Sequence, residues 1–464
     1  MQRLKRREFL QQGATIAGLA PFAGSGFFNA FSPKKETITI QKISANFERE
    51  PLATPYGFKG GYMTNVWQTI AGMEDQRGTF RIGLGTQNTL WSDARVFAQH
   101  SESGGNALMF AISEYALQLA KGKSFSSPVA LLDEILDDVY AYGKKITGLS
   151  DLRKTFVLNA LVGFDNTAWL LYADANNITN FDDLIPEQYR QGMSEHHEHV
   201  ISVPSFSFAT PVAQMKELAD QGYFFMKIKL GHPGDQEEML KQDMAKLTEI
   251  HKAIGHGETQ HTANGKIPYY FDMNGRYQNK DTLKRLLDHA KKIGAFDQIV
   301  VVEEPFPEEY RADVSEIEAR LVSDESAHTD KDAEERIEMG YKGIALKPIA
   351  KTLSMTFKIA QLAYEKNIPC LCADLTVNPV LVDWNKNVAA RLPTFPGFAG
   401  MNAMENNGHQ NYRDWQEMVG YLPYPNADWV HAKNGLFPTG KEFYAKSGGI
   451  FQQSEHYLNL VKHG

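Results

Sequence analysis

Cysteine is nearly absent: the 464 residues contain two, Cys370 and Cys372. Standing two apart in one strand-like run, they are too close along an extended chain to bridge one another. A disulfide framework is therefore excluded, and stability must come from a buried core, which a chain of this length can build. Long apolar runs are lacking as well. The mildly apolar stretch 13–23 is shorter than the ~20 residues a membrane-spanning helix needs, and no later segment qualifies. An excess of basic residues is missing too. Lys and Arg number 48 against 56 Asp and Glu, a net charge of −8. Arg3, Lys5, Arg6 and Arg7 against Glu8 make the first 30 residues +3, which leaves −11 for the remainder. That balance argues against nucleic acid as a partner and requires any anionic ligand to be drawn in by a local site. Otherwise, 42% hydrophobic and 22% charged residues are the composition of an ordinary globular protein.

What is present is an ordered series of charged residues, each at the end of a short apolar run: Lys227-Ile-Lys229, Asp272-Met-Asn274, Glu303-Glu304-Pro305, Asp324-Glu325 and Lys347-Pro348. From Lys229 the intervals are 43 to Asp272, 31 to Glu303, 21 to Asp324 and 23 to Lys347. One strand, one helix and their loops need roughly 20–30 residues, so only the first interval is long, and it holds the polar loop insertion 255–265. Between the charged residues, 281–293 places Leu283, Leu286, Leu287 and Ala290 at helical spacing, and 333–339 and 353–364 repeat the pattern. Strand-like runs follow at 299–302, 343–346 and 368–372. Strands alternating with helices imply a parallel sheet closed by right-handed crossovers, and in a β/α barrel the loops after the strands form the functional face. Three carboxylates and paired lysines at successive strand ends suggest a divalent metal flanked by two bases.

These residues resemble the enolase superfamily, and within it the muconate-lactonising and dipeptide-epimerase branch. The resemblance covers roughly residues 36–400, with its specific motifs in 227–348. It implies an α/β fold, a (β/α)-barrel of the enolase type with an N-terminal α+β capping domain. By the same resemblance the Lys-x-Lys of the second barrel strand, here Lys227 and Lys229, supplies one base. Acids on the third, fourth and fifth strands, here Asp272, Glu303 and Asp324, bind one magnesium ion, and a sixth-strand lysine, here Lys347, is the opposing base. The branch that uses histidines at the base positions matches less well, because Lys229 and Lys347 fill them. The organisation implied is a capping domain at 36–195, a barrel at 196–405 and a segment at 406–464 that packs back on the cap.

The chemistry explains why such residues occur together. Removing the proton beside a carboxylate leaves an enediolate, and a bound cation stabilises that developing charge where water is excluded. Magnesium takes hard oxygen ligands in octahedral geometry, so three carboxylates leave positions for a substrate carboxylate and water. Lysine is a poor base at its reference pKa of about 10.4, but a neighbouring ammonium and a divalent cation favour its neutral form. On this reading Lys229 accepts the proton, and Lys227 tunes it and touches the substrate carboxylate. Three carboxylates, one Mg²⁺ and three ammonium groups leave the site positive, so an anionic substrate is expected. Asn274 is expected to orient a metal ligand or its water, with Glu304 and Glu325 in similar roles. Tyr56, Phe58, Lys59 and Tyr62, in an early cap loop, are candidates for substrate selection, and closure of that cap would exclude water.

One departure limits the substrate. Dipeptide epimerases carry Asp-x-Asp at the eighth strand to hold the substrate ammonium group, whereas 398–405 here offers Asn402 and Glu405. Glu405 remains a candidate for an amine. The activity expected is a Mg²⁺-dependent racemase or epimerase acting on a small-molecule carboxylate such as an amino acid derivative or dipeptide. A dehydratase or cycloisomerase, or a catalytically silent exported binding protein, stands as the alternative, and a homo-oligomer is open. His328, just past the fifth strand, reads as incidental, and the mixed-charge run of His196, His197 and His199 beside Glu195 and Glu198 reads as a solvated connector. Within the cap, 37–43 alternates like a strand, 51–62 reads as a long loop, and 106–119 and 157–173 read as helices.

The N-terminal segment carries a separate message. Arg6-Arg7-x-Phe9-Leu10 followed by 13–23 resembles a bacterial twin-arginine export signal, which implies export of a folded protein to the periplasm. Cleavage between residues 20 and 30 or retention as an anchor are both open, and no stable membrane insertion is expected after export.

Overall fold

The computed structural model describes residues 35–58 and 61–463. The arginine pair, the apolar stretch that follows it, Lys59 and the side chain of Phe58 lie outside what is described. The alternation at 37–43 makes a strand, and that strand runs much further than its pattern: β1 (Ile38–Phe58) pairs antiparallel with β2 (Gly61–Asp75), which pairs with β3 (Phe80–Gln87). The segment 51–62 is therefore a hairpin and not the expected loop. Pro51 and Pro55 are tolerated because no strand ladder continues along the other edge of β1: β4 (Ser124–Phe125) covers only Ile38 and Thr39, and near Pro51 there is an isolated bridge from Leu52 to Tyr412, with the Arg413 N–H donating to the Pro51 carbonyl at 3.1 Å. A register shift between Pro51 and Tyr56 absorbs the rest.

Helices cover this sheet. The helix expected at 106–119 extends over Ala94–Ala120 with a break at Ser101, and the one expected at 157–173 divides into Lys154–Ala160 and Val162–Ala175. Helix Val162–Ala175 lies directly on β3. A Cβ on Gly83 would stand 2.2 Å from the carbonyl oxygen of Gly163, so this close approach requires glycine.

The second sheet is parallel, apart from one antiparallel strand at its edge. Its strands are β5 (His199–Val203), β6 (Ser205–Phe206), β7 (Met226–Lys229), β8 (Tyr269–Asp272), β9 (Ile299–Glu303), β10 (Leu321–Ser323), β11 (Gly343–Leu346), β12 (Cys370–Cys372) and β13 (Asn402–Glu405). Neighbours pair in chain order from β6 to β13, and β13 pairs in turn with β5. Because β5 and β6 are separated only by Pro204, they act as one strand whose two halves bond to opposite neighbours, and the barrel closes with eight positions. The antiparallel strand is β14 (Leu436–Pro438), which adds to β5.

Helices follow the strands, at Gln236–Ile254, Lys280–Lys292, Asp330–Glu338, Leu353–Glu365 and Pro379–Ala389. Leu283, Leu286, Leu287 and Ala290 are buried against the sheet, as their spacing requires. The helix Asp330–Glu338 is capped by Thr329 in a reciprocal pair with Asp332, which leaves Asp324 and Glu325 free of any capping duty. Cys370 and Cys372 are buried free thiols. Residues 36–463 pack as one unit. Asn46 Nδ2 of the cap sheet donates to the Leu460 carbonyl at 2.7 Å, and His456 Nε2 meets Glu48 at 2.9 Å. Among the described residues no helix is long and apolar enough to cross a membrane.

Candidate active site

Period two places the site. Side chains two apart on a strand share a face, and the barrel interior contains Phe225, Tyr270, Val301, Val322, Ala345 and Ala403. Two positions further along each strand stand Lys227, Asp272, Glu303, Asp324, Lys347 and Glu405, with Lys229 two beyond Lys227. The apolar layer fills the barrel and the charged layer sits on top of it at the C-terminal ends. From β7 to β9 the register aligns Lys229 with Asp272 and Asp272 with Glu303, and on β10 it sets Val322 opposite Glu303, so Asp324 stands two residues further along. Around the ring, acids occupy the third, fourth and fifth strand ends. Lysines occupy the second and sixth, which lie across the barrel from each other. Asp374 and Glu405 complete the circle from the seventh and eighth.

The lysines and acids are tied together by direct contacts. Lys229 Nζ lies 2.5 Å from Asp272 Oδ2, and Lys227 Nζ lies 3.0 Å from the same oxygen. Lys227 Nζ also reaches Glu303 at 2.8 Å and Glu405 Oε2 at 3.1 Å. Tyr270 donates its hydroxyl to Glu303 Oε2. On the far side Lys347 Nζ lies 2.5 Å from Asp324 Oδ2, and Lys351 Nζ 3.3 Å from Asp324 Oδ1. Burial works against charge on Asp272, but Lys227 and Lys229 outweigh it and lower its carboxyl to about 2. Burial likewise opposes charge on Asp324, and Lys347 and Lys351 hold it well below the carboxylate range. Glu303 is pushed up by burial and by Asp272 beside it. For Lys229 burial lowers the proton affinity, yet the Asp272 carboxylate overcomes it and the balance is upward. The neighbouring Lys227 was expected to favour neutral Lys229. It does act in that direction, but a carboxylate at 2.5 Å is the stronger influence.

The metal-ligand expectation meets a difference here. The acids whose oxygens fall within 4.8 Å of one another are Glu303, Asp324 and Glu325, all buried, while Asp272 gives Oδ2 to the two lysines. Hard carboxylate oxygens are the right donor set for Mg²⁺. Asp324 Oδ1 is buried and accepts no hydrogen bond, with the Lys351 ion pair at 3.3 Å beside it, which leaves it capacity to meet a cation. These residues fit the ion. Asn274 is placed to serve them: its backbone N–H donates to Asp272 Oδ1 at 3.0 Å and its Nδ2 to Glu325 Oε1 at 3.2 Å. Asn274 (φ 43) and Gly275 (φ 74) turn the chain there in the left-handed region, as Asn and Gly readily do.

The pocket above these groups is walled by the barrel and the cap together. Tyr56, Met63, Asn88 and Trp91 come from the cap, and Lys227, Lys229, Asp272, Asn274, Asp324, Lys347, Asp374, Thr376, Glu405 and Asn407 from the barrel. Tyr56 reaches the pocket, whereas Tyr62 is 70% exposed. Trp91 spreads its ring over Lys347, with Nζ 4.1 Å from the ring centroid. Asp374 accepts N–H bonds from Asn407 at 2.9 Å and Val377 at 3.4 Å. Its carboxyl is raised to about 6 by burial and by Glu405. Glu304 does not face this pocket. It lies behind the acidic cluster with Oε2 on the Asp324 N–H at 2.6 Å, raised to about 7 by burial and by Glu325. His328 is buried and paired with Glu308 at 2.5 Å, and His197 is tied to the Leu392 carbonyl at 2.8 Å.

Sequence reasoning did not find Tyr270, Trp91, Lys351 or Asp374. Tyr270 was available from the period-two rule, two before Asp272. Asp374 likewise stands two past the strand that ends at Cys372. Trp91 carries no signal in the chain, because its position over Lys347 depends on how the cap docks.

No protein-family model and no curated protein matches this sequence. Solved structures do. The chain is similar to a member of the enolase superfamily from Listeria innocua, with 18% identity, a TM-score of 0.62, and 92% of this chain and 96% of that one covered. It is similar to a dipeptide epimerase from Enterococcus faecalis complexed with Mg and the dipeptide L-Leu-L-Tyr, with 16% identity, a TM-score of 0.56, and 79% and 90% covered. It is also similar to an L-talarate dehydratase from Polaromonas sp. complexed with Mg and L-glucarate, with 17% identity, a TM-score of 0.55, and 82% and 88% covered. The fold is therefore that of the enolase superfamily: a capping domain over a β/α barrel.

Proposed function

We propose that this chain is a Mg²⁺-dependent racemase or epimerase that removes and returns the proton beside a carboxylate. The observation that carries this reading is the arrangement of Lys229 and Lys347 on opposite sides of one pocket, with buried carboxylates on the three strand ends between them. Asp272, Glu303, Asp324 and Glu325 are the residues that would hold the ion. When bound, Mg²⁺ supplies a positive charge to the oxygens on which negative charge accumulates as the proton leaves. Lys229 takes the proton from one face of the substrate and Lys347 delivers one to the other. Asp272, drawn to the cation, would cease to hold Lys229 protonated. Lys227, shared among Asp272, Glu303 and Glu405, fixes those carboxylates and presents one charge toward a substrate carboxylate. Trp91 and Tyr56 exclude water from above.

The same two lysines support elimination or cycloisomerisation when one acts only as an acid. The talarate dehydratase among similar structures keeps a dehydratase as the second reading. Glu405, which shares Lys227 with Asp272 and Glu303, and Asp374 beside it line the pocket and favour a substrate that carries an amine beside its carboxylate, as a dipeptide or amino acid derivative does. Export by the twin-arginine route belongs to this proposal and rests on the N-terminal sequence alone.

The test is proton NMR of the purified protein in D₂O with Mg²⁺ against pooled dipeptides, N-acyl amino acids and sugar acids. Loss of an α-proton signal that requires Mg²⁺ is expected, with inversion separating epimerisation from elimination in the same spectrum. Absence of exchange in every pool, with the metal bound, would count against the reading and favour a silent binding protein.

A further inference from the structure

Between β10 and the helix Asp330–Glu338 the chain makes a short loop, Asp324-Glu325-Ser326-Ala327, that carries two of the three clustered carboxylates. Its backbone is gripped from both sides. On the amide side, Glu304 Oε2 accepts from the Asp324 N–H at 2.6 Å and the Ser326 N–H at 3.4 Å. On the carbonyl side, Lys351 Nζ donates to Asp324 O at 2.6 Å and Ala327 O at 3.0 Å, and stands 3.3 Å from Asp324 Oδ1. Both side chains are buried, Glu304 at 3% exposure and Lys351 at 1%. An ionisable group so fully removed from water is retained only where specific partners replace its hydration, and these backbone groups are the partners of Lys351 Nζ and Glu304 Oε2, while Glu304 Oε1 is buried without a hydrogen bond.

Two further details point the same way. Glu304 sits at φ 38, a left-handed conformation that residues with side chains keep only where the surroundings impose it. Lys351 lies one turn after Lys347 in the short helix Pro348–Lys351, and its N–H donates to the Lys347 carbonyl at 2.7 Å. One helical turn thus delivers Lys347 to Asp324 Oδ2 and Lys351 to the backbone of the same residue. The loop after β10 is thereby tied to the helix that carries one of the two proposed proton-transfer groups.

We infer that Lys351 and Glu304 are positioning residues. Together they clamp the backbone of 324–327 so that the carboxylates of Asp324 and Glu325 are presented to a divalent cation in one geometry. This rests on the metal-site reading given above. A different account of Lys351, that it is merely a positive charge near the ligands, makes the opposite prediction, because removing a charge that repels the cation would tighten binding.

The experiment is titration calorimetry of the full chain with Mg²⁺ alone, accompanied by Mn²⁺ electron paramagnetic resonance to follow the symmetry of the bound ion. Lys351→Met and Glu304→Met should each weaken Mg²⁺ about 10–100-fold, the usual effect of losing a group that orients metal ligands, and should broaden the Mn²⁺ signal. Glu304→Gln keeps an acceptor oxygen for the two amides and should bind close to the parent. The double variant should bind no more weakly than the weaker single variant, since both release the same loop. Unchanged or tighter binding in Lys351→Met overturns the clamp. If that variant fails to fold, equal binding by Glu304→Met and the parent overturns it instead. Failure of the parent itself to bind Mg²⁺ overturns the metal-site reading, an outcome distinct from a parent that binds and variants that bind alike.

Discussion

At Lys227 a single ammonium serves Asp272, Glu303 and Glu405, all within 3.1 Å and all buried. Removing one partner of a buried charge network leaves the others uncompensated and typically costs about 3–5 kcal/mol. Lys227→Met should therefore lower the unfolding free energy by an amount of that order in a urea titration at pH 7, more than any exposed lysine variant. A loss below about 1 kcal/mol would show that water reaches the carboxylates. Lys229 and Lys347 line the same pocket as Lys227, one beside Asp272 and the other beside Asp324. Lys229→Ala and Lys347→Ala should each reduce substrate deuterium exchange by about 10²–10⁴-fold, the range of a general acid or base, while leaving Mg²⁺ binding in place. Full exchange in either variant removes that lysine from the mechanism. These side chains were legible because each ends an apolar run. Asp272's attachment to the lysines and not to Glu303, Asp324 and Glu325 was not, since which oxygens approach within a few ångströms depends on the barrel's curvature.

The cap and the barrel meet at particular element contacts. Asp165 on the cap helix Val162–Ala175 is buried and accepts from the Ser354 N–H at 2.9 Å and the Ser354 hydroxyl at 2.5 Å, at the start of helix Leu353–Glu365. Burial raises its carboxyl from 3.8 to about 6, against the Ser354 hydrogen bonds. A folded-state value above the unfolded one means that this group's stabilisation is full below about pH 4 and is lost as the pH rises through 6. Asp165→Asn should consequently flatten the fall in urea midpoint between pH 4 and 6, by an amount of the order of 2 kcal/mol. An unchanged slope would show that Asp165 is ionised in the native protein throughout. The helices of the barrel could be read from their own leucines, because each buries one face. The hairpin at 51–62 could not, because its prolines lie on an edge whose neighbours, β4 and the segment at Tyr412, are brought there by tertiary structure.

For the molecule as a whole, the three clustered carboxylates stand at the ends of β9 and β10, which pair only in the folded sheet, so an ion bound there binds the folded state and not the unfolded one. Mg²⁺ should raise the melting temperature in a concentration-dependent way, worth about 2.7 kcal/mol at a hundredfold excess over Kd. EDTA should remove the gain, and Asp324→Asn should abolish it. Insensitivity of the parent's melting to Mg²⁺ at millimolar concentration would contradict the site.

Closure of the barrel through Pro204, with β5 and β6 bonding opposite neighbours, is a property that no local stretch encodes. The strand ends, their order and their charge follow from the sequence, since apolar runs of a few residues followed by a charged side chain leave little choice about which end faces water. The pairing of Lys347 with Trp91 across the cap, the grip of Lys351 and Glu304 on the loop after β10, and the placement of Asp374 beside Glu405 were decided by tertiary structure. Each joins residues far apart in the chain, and their contact exists only after the closed sheet and the docked cap have brought them within reach.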